Sequence, residues 1–151
     1  MKAFFICYFL LLAVILLSVL SIKVVKFYIC PGNNDWQIVL AEEVLDWCKE
    51  LYPISKKRPV VVVNKNKSQY VGEYNYYSNQ IVIYVRYLRS PRSVIHVVVH
   101  EFFHYWAIRS SQDYDKYYKL LQKYEYINHP AELLCETMAK VLTKKYISEK
   151  T

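Results

Sequence analysis

His100, Glu101 and His104 form an HExxH motif, the clearest chemical signal in this sequence. The motif lies in an apolar stretch of helical length, and helical residues four apart share one face. Both imidazoles can therefore bind one metal ion, and zinc is the ion expected at this spacing. Glu101 follows the first histidine directly, so its carboxylate would lie beside the ion and accept a proton from a bound water. A buried helix with two hydrogen-bonded histidines is the structural alternative, and a third ligand decides between the two.

Two further acids, Glu132 and Glu136, favour the metal site. Pro130 is well placed as the first residue of a helix, on which these acids, four apart, share a face. One carboxylate can complete a His-His-Glu zinc site, while the other accepts a hydrogen bond from the far nitrogen of a ligand histidine. The small Cys135 and Ala139 would let this helix approach the HExxH helix closely.

With these residues the sequence resembles the gluzincin metallopeptidases, and its shortness is similar to the minimal minigluzincin and ImmA/IrrE-like domains. The resemblance covers roughly residues 58–146. It implies a zincin-like α+β fold, Zn²⁺ on His100, His104 and Glu132, Glu101 as general base, and Glu136 as partner of a ligand histidine. The C-terminal domain of larger gluzincins, whose histidine and tyrosine stabilise the oxyanion, is not expected here. The group that polarises the substrate carbonyl, besides the metal, is therefore left open.

Two other histidines compete for roles in the site. His96 lies four before His100, so a metal pair of these two is geometrically possible, although packing or a hydrogen bond near the ligands is the simpler role. His129 could contact an oxyanion or substrate, cap the next helix, or replace Glu132 as third ligand. The glycine and third histidine that follow HExxH in metzincins are absent from residues 105–110, which excludes a site of that kind.

Residues 3–21 form an uncharged apolar run of 19 residues between Lys2 and Lys23. A bilayer-spanning helix needs about 20 apolar residues, so the run is long enough to be an uncleaved signal anchor. A cleaved signal peptide is the alternative, although residues 19–21 make a weak cleavage site. The flanking lysines leave the orientation open, but a short N-terminus is easily held inside while a domain follows across. We therefore expect an extracytoplasmic membrane-bound domain, or a secreted domain after cleavage.

Charge and cysteine content exclude little. After residue 30 the chain has 17 basic and 13 acidic residues, because three of its 20 lysines and arginines, Lys2, Lys23 and Lys26, come earlier. The basic residues are scattered without a helix-turn-helix or RNA-binding pattern, so nucleic acid is not an expected partner. A modest excess of this kind suits a surface near anionic lipid. The four cysteines neither require nor exclude a disulfide.

The rest of the sequence predicts a small α+β domain, residues 31–151, joined at Gly32 to an N-terminal membrane and juxtamembrane segment, residues 1–30. A first helix should run from an N-cap at Asp35 to about Leu51 and end before Pro53. Its apolar side is predicted to consist of Trp36, Val39, Leu40, Val44 and Trp47.

Strands are predicted between this helix and the HExxH helix. Residues 59–64 include four consecutive valines, which indicates a strand buried on both faces. Residues 70–77 and 80–87 predict a hairpin that turns at Ser78 and Asn79. Ser90 is then the expected cap of the HExxH helix, with Pro91 as its first residue.

Two of these elements have a functional interpretation. The strand of residues 80–86 directly precedes the HExxH helix and is either a core strand or an edge that binds an extended substrate through its main chain. Residues 113–126, rich in tyrosine and lysine, predict an amphipathic helix that covers the site.

Together these patterns predict a membrane-anchored zinc metallopeptidase that hydrolyses a peptide or protein through a zinc-activated water. A non-catalytic gluzincin-like interaction module, tethered to the membrane, is the alternative. The intact Glu101 argues against it, because metal binding alone does not need that carboxylate.

Overall fold

Helix α1 (Asp35–Leu51) is the first element that the structure describes. The structure, a computed structural model, describes residues 35–66 and 68–150. The helix ends two residues before Pro53, as predicted, because a residue that precedes proline is disfavoured in helical conformation. Its apolar side is rotated from the predicted one, and its fully buried apolar residues are Ala41, Val44, Leu45 and Cys48. Val39 is 64% exposed, because two residues of helix place it about 200° round the axis from Ala41.

A mixed sheet of three strands follows, made of β1 (Val60–Asn64), β2 (Gly72–Asn75) and β3 (Gln80–Tyr84). The spatial order is β1-β3-β2, with β3 parallel to β1 and antiparallel to β2. The predicted hairpin is confirmed, with shorter strands. Asn79 in its turn has a φ of 50°, a left-handed conformation that asparagine adopts more readily than most residues.

Strand β1 is an edge strand, and the prediction that it is buried on both faces was wrong. Val61 is buried, but Val60 is 53% exposed and the rest of the strand is half-buried. β1 pairs with β3 on one side and packs against α1, and this leaves most of its side chains partly exposed, so its valine run reflects β-propensity more than burial.

Helix α2 (Pro91–Ala107) carries the HExxH motif through the centre of the fold. Its predicted start is confirmed, because the Ser90 side chain accepts a hydrogen bond from the Ser93 backbone and Pro91 is the first helical residue. The helix contacts α1, β2, β3 and the last helix. Its buried apolar residues are Val94, Ile95, Val97, Val98, Val99, Phe102, Phe103 and Tyr105.

The chain ends in two further helices, α3 (Ser111–Lys123) and α4 (Pro130–Lys150), joined by a 3-10 turn (Tyr126–Asn128). Pro130 opens α4 as predicted. Cys135 and Ala139 are buried, and α4 lies against α2, so the predicted close approach of these two helices is confirmed. All 13 residues of α3 are described and none of them is buried.

The described residues thus form one compact unit with α2 at its centre, which confirms the predicted small α+β class. The predicted membrane segment, residues 3–21, and the junction at Gly32 lie outside the described residues. No helix in the described part of the chain is both long enough and apolar enough to cross a bilayer.

Candidate metal centre and cleft

His100 and His104 lie one turn apart on the side of α2 that faces α4, as their spacing predicts. Their Nε2 atoms are 3.2 Å apart. Both rings are largely buried, with side-chain exposures of 13% and 8%. Two imidazole nitrogens are therefore directed at one small volume inside the protein.

Glu132, in the first turn of α4, directs its carboxylate at the same volume. Its Oε2 lies 3.1 Å from Nε2 of His100, and its Oε1 lies 3.3 Å from Nε2 of His104. Burial opposes ionisation of Glu132, but hydrogen bonds from the two histidines outweigh it and lower the pKa of the carboxyl well below its usual range. The three side chains predicted as ligands are thus brought together.

The separations in this trio fit a zinc ion. Zinc in proteins is tetrahedral with bonds of about 2.0 to 2.2 Å to nitrogen and oxygen, which puts neighbouring ligand atoms about 3.3 to 3.6 Å apart. The observed separations are 3.1, 3.2 and 3.3 Å. A contraction of a few tenths of an ångström is what hydrogen bonding among the same atoms would give.

Cys135 is a rival third ligand, because ligand atoms of His100, His104 and Cys135 also lie within 4.8 Å of one another. Its Sγ is 3.7 Å from Nδ1 of His104, the ring nitrogen opposite the one that faces His100 and Glu132. Glu132, whose carboxylate faces Nε2 of both histidines, is therefore the better-placed candidate third ligand, and Cys135 contacts the His104 ring from behind.

Glu101 is buried beside the trio, with 6% of its surface exposed. Burial raises the pKa of its carboxyl, while the two histidines and the backbone N–H of Tyr74, which donates to it, act in the opposite direction. A carboxylate with a raised pKa is better suited to take up a proton at neutral pH than an exposed one. Glu101 occupies the position expected of a general base.

Glu136 lies on the far side of His100, where a hydrogen-bond partner of a ligand histidine was predicted. Its Oε2 is 3.6 Å from Nδ1 of His100, within ion-pair range, and 3.0 Å from Nε2 of His96. Oε1 of the same carboxylate pairs with Lys140. His96 is therefore hydrogen-bonded to Glu136, the simpler of the two roles weighed for it from the sequence.

His129 does not face the site as a possible oxyanion or substrate contact. It is fully buried, its Nδ1 accepts a hydrogen bond from the N–H of Ala131, and its Nε2 lies 3.3 Å from the carbonyl oxygen of Tyr117. Both ring nitrogens are thus engaged at the start of α4. The helix-start role that was weighed for His129 is the one the structure gives it.

Tyr117 and Tyr126 approach Glu132 from the connection between α2 and α4, and sequence reasoning did not single them out. The Tyr117 hydroxyl donates to Oε1 of Glu132 at 2.5 Å, and its ring packs edge-on against His104 and His129. Tyr126 also lies near Glu132, and burial together with this carboxylate raises the pKa of its phenol, although 53% of its surface is exposed. The tyrosine-rich sequence predicted a covering helix, but it did not indicate which tyrosines would turn inward.

A cleft runs over the trio between β2 and the helices, and it consists of two cavities of about 380 and 440 Å³. Both cavities are lined by Tyr70, Gly72, Glu101, Tyr126 and Glu132. The smaller, here called the His96 cavity, continues past Val71, His96, Val97, Leu133 and Glu136. The larger, here called the aromatic cavity, continues towards β2 and α3 past Tyr74, His104, Tyr114, Tyr117 and Tyr118. The trio of His100, His104 and Glu132 therefore lies where two open cavities meet.

Strand β2, not the predicted strand of residues 80–86, is the sheet edge beside the site. β3 is paired on both sides, so its backbone cannot bind a further strand. The N–H of Tyr84 donates to the carbonyl of Val71, which sets the register of the hairpin. Because backbone groups alternate along an antiparallel pair, Gly72 and Tyr74 direct theirs away from β3.

Gly72 lets β2 approach helix α2 closely. A Cβ at this position would collide with Cγ1 of Val97 and lie 3.1 Å from Oε1 of Glu101. A side chain at residue 72 would therefore push β2 away from α2, and with it the Tyr74 N–H that holds Glu101.

Comparisons of the chain with protein-family models, with curated proteins and with solved structures found no match. The interpretation of the site rests on its own residues and their geometry.

Proposed function

We propose that this chain is a membrane-anchored zinc metallopeptidase that hydrolyses peptide bonds. The observation that supports it most is the trio of ligand atoms from His100, His104 and Glu132, 3.1 to 3.3 Å apart, with the Glu101 carboxylate buried beside it. Zinc bound there would lower the pKa of a bound water to about 7, providing a nucleophile at neutral pH, and would hold part of the charge that develops on the carbonyl oxygen.

Glu101 moves the proton in this mechanism. Its carboxylate takes a proton from the water that attacks the carbonyl carbon, and gives that proton to the amine nitrogen as the C–N bond breaks. The Tyr74 N–H donates to the Glu101 carboxylate, and Glu101 lines both cavities of the cleft. Burial of Glu101 suits both steps, because it favours the protonated form that the second step requires.

The substrate lies along β2 as an added strand. The backbone groups of Gly72 and Tyr74 that face away from β3 are the hydrogen-bonding groups available to it, apart from the Tyr74 N–H that Glu101 uses. Such pairing fixes the main chain of the peptide without reading its sequence. The scissile bond then lies where the two cavities meet, next to Glu101.

Tyr126 is the side chain of this chain best placed to polarise the substrate carbonyl. Tyr126 lines both cavities and lies near Glu132, and more than half of its surface is open to solvent. A neutral phenol is a hydrogen-bond donor, and burial together with the nearby Glu132 raises the pKa of Tyr126, which keeps it neutral.

Residues 3–21 tether this domain to the membrane in the proposal, as an uncleaved signal anchor with the domain outside the cytoplasm. A cleaved signal would instead release a secreted peptidase.

The proposal is tested with the full-length protein in detergent micelles. The wild type should hold one zinc per chain by elemental analysis and should cut an unstructured protein such as casein. Glu101→Gln should keep the zinc and the melting temperature but lose cleavage, since the ligands stay intact. A wild type that holds zinc and cuts no unstructured protein would favour the interaction-module alternative, and equal cleavage by both forms would point to a different base.

A further inference from the structure

The aromatic cavity is walled by tyrosine rings on the side of the site that faces α3. Its volume of about 440 Å³ lies within the range of small-ligand pockets, about 300 to 1,000 Å³. Ile108 and Leu121 add aliphatic surface to its lining. Its tyrosines are Tyr70, Tyr74, Tyr114, Tyr117, Tyr118 and Tyr126.

The rings of this wall support one another. Tyr114 packs against Tyr118 with ring centres 4.9 Å apart, and Tyr117 packs against Tyr118 at 6.1 Å. On its other side Tyr114 stacks on Tyr76 at 5.4 Å. Such contacts fix the rings in place, so the wall presents a preformed surface for another ring.

Three of the lining tyrosines still have open faces. Tyr70, Tyr118 and Tyr126 are 45%, 50% and 53% exposed at the mouth of the cavity. Each of these rings presents an apolar face, with its single hydroxyl at the edge. The mouth is therefore an uncharged aromatic surface that water covers in the free protein.

The charged groups of the cavity disfavour the binding of an acidic side chain. Among the described residues that line it are three carboxylates, Glu73, Glu101 and Glu132, and no lysine or arginine. Glu101 and Glu132 belong to the proposed catalytic machinery, and Glu73 accepts a hydrogen bond from the Tyr84 hydroxyl. With these carboxylates engaged, the remaining attraction of the cavity is apolar and aromatic.

The two cavities differ in this respect. The tyrosines of the His96 cavity are Tyr70 and Tyr126, which also line the aromatic cavity. The rest of its lining is a mixture of aliphatic and polar side chains that includes Gln69, His96 and Glu136. The cleft is therefore asymmetric about Glu101 and Glu132, and one end is suited to a ring.

We propose that the aromatic cavity binds an aromatic side chain of an extended peptide substrate, beside the bond that is cut. This inference rests on the proposed peptidase function. His104, Glu101 and Glu132 line the same cavity, so a side chain seated there belongs to a residue close to the scissile bond. The backbone of β2 fixes the direction of the peptide, and the tyrosine wall selects the residue that is placed there.

Binding is measured apart from cleavage by using full-length zinc-loaded Glu101→Gln in detergent micelles. The probes are fluorescently labelled ten-residue peptides of glycine, alanine and serine that carry Phe, Leu, Lys, Asp or a further Ala at one central position. The Phe peptide should bind at least about tenfold more tightly than the Ala peptide, a difference that apolar pockets commonly produce. The Asp peptide should bind most weakly.

Two matched variants assign the preference to this cavity. Leu121→Trp fills the aromatic cavity and should abolish the Phe preference, whereas Val71→Trp fills the His96 cavity and should leave it intact. Tyr118→Ala removes an exposed ring of the wall without touching the core, and should weaken the Phe preference even if Leu121→Trp does not fold.

The outcomes separate this inference from the proposed function. Equal binding of all the peptides, tightest binding of the Lys peptide, or equal effects of Leu121→Trp and Val71→Trp would overturn the aromatic assignment. A Phe preference in Glu101→Gln together with an inactive wild type would support the cavity while removing the peptidase proposal. Cleavage by the wild type without a Phe preference in binding would support the peptidase proposal and remove the aromatic assignment of the cavity.

Discussion

The hydroxyl of Tyr117 donates a 2.5 Å hydrogen bond to Oε1 of Glu132. This bond joins α3, which buries none of its residues, to the proposed third metal ligand. A hydrogen bond of this kind orients a carboxylate ligand and restricts its rotation.

Removal of that hydroxyl should therefore weaken zinc binding. Tyr117→Phe keeps the ring against His104 and His129 but loses the bond to Glu132, and we expect about 10- to 100-fold lower zinc affinity. Competition with a chromogenic chelator measures it on the full-length protein. Tyr118→Phe, on the same helix, is the control and should bind zinc like the wild type. Unchanged affinity in Tyr117→Phe would show that the contact does not orient the ligand.

The two acids of α4 should differ sharply in their effect on metal content. Glu132→Ala removes a proposed ligand and should lose the zinc, while Glu136→Ala removes a partner of His96 and His100 and should lower affinity by about 10- to 100-fold. Elemental analysis after dialysis against a weak chelator separates the two results. Zinc retained in Glu132→Ala and lost in Glu136→Ala would mean that the roles of the carboxylates are exchanged.

Gly72→Ala should destabilise the fold and impair the site together. Its methyl group would collide with Val97 and crowd Glu101, and overpacking of this kind costs about 1 to 3 kcal/mol of unfolding free energy. Denaturant unfolding measures that loss, with Val71→Ala, at a 48% exposed position, as control.

Val97, with which the added methyl group would collide, provides a second measurement. Val97→Ala removes the obstructing Cγ1, so the double variant should lose less stability than the sum of the two single variants. Crowding of Glu101 remains in the double variant, and cleavage should therefore stay impaired. Strict additivity would argue against the close approach of β2 and α2.

The two described cysteines should be unreactive in the folded protein. Cys48 and Cys135 are free thiols with 0% and 1% exposure. Burial raises the pKa of Cys48 to about 12 and also raises that of Cys135, so at pH 8 the reactive thiolate is scarce. Iodoacetamide at pH 8 should leave both unmodified in native protein and modify both in guanidinium chloride, as read by peptide mass spectrometry. Fast native labelling of Cys135 would contradict its place behind His104.

The membrane segment should keep the full-length chain in the bilayer. Residues 3–21 are apolar over a length sufficient to span, so the protein should remain in the pellet after carbonate extraction and keep its original N-terminus. Protease protection in intact cells then tests whether the domain lies outside the cytoplasm. A freely soluble mature protein that begins near Ile22 would establish a cleaved signal instead.

The parts of the site that the sequence predicted are those encoded by local spacing. His100 and His104 are four apart on one helix, and Pro130 sets the start of the next helix, so the register of Glu132 follows from it. Ser90 marked the beginning of α2 for the same local reason. Neighbouring residues in the chain determine these features without knowledge of the fold.

The parts that were missed depend on which elements lie side by side. Strand order placed β2 at the edge near Glu101, and a local pattern of β-branched residues cannot distinguish an edge strand from a central one. The inward turn of Tyr117 depends on how α3 lies against His104 and Glu132, and nothing in the sequence distinguishes this tyrosine among the sixteen of the chain. Val39 shows the same limit in α1, where the buried side depends on the partner helix.

The position of α3 in the chain helps to maintain its contact with the site. His100 and Glu132 lie 32 residues apart, and α3 lies within the loop that their meeting closes. Tyr117 is 15 residues from Glu132, so this short tether gives its hydroxyl a high effective local concentration at the carboxylate. A helix with no buried residue can therefore keep its contact with the site, because the chain itself supplies the proximity that burial supplies elsewhere.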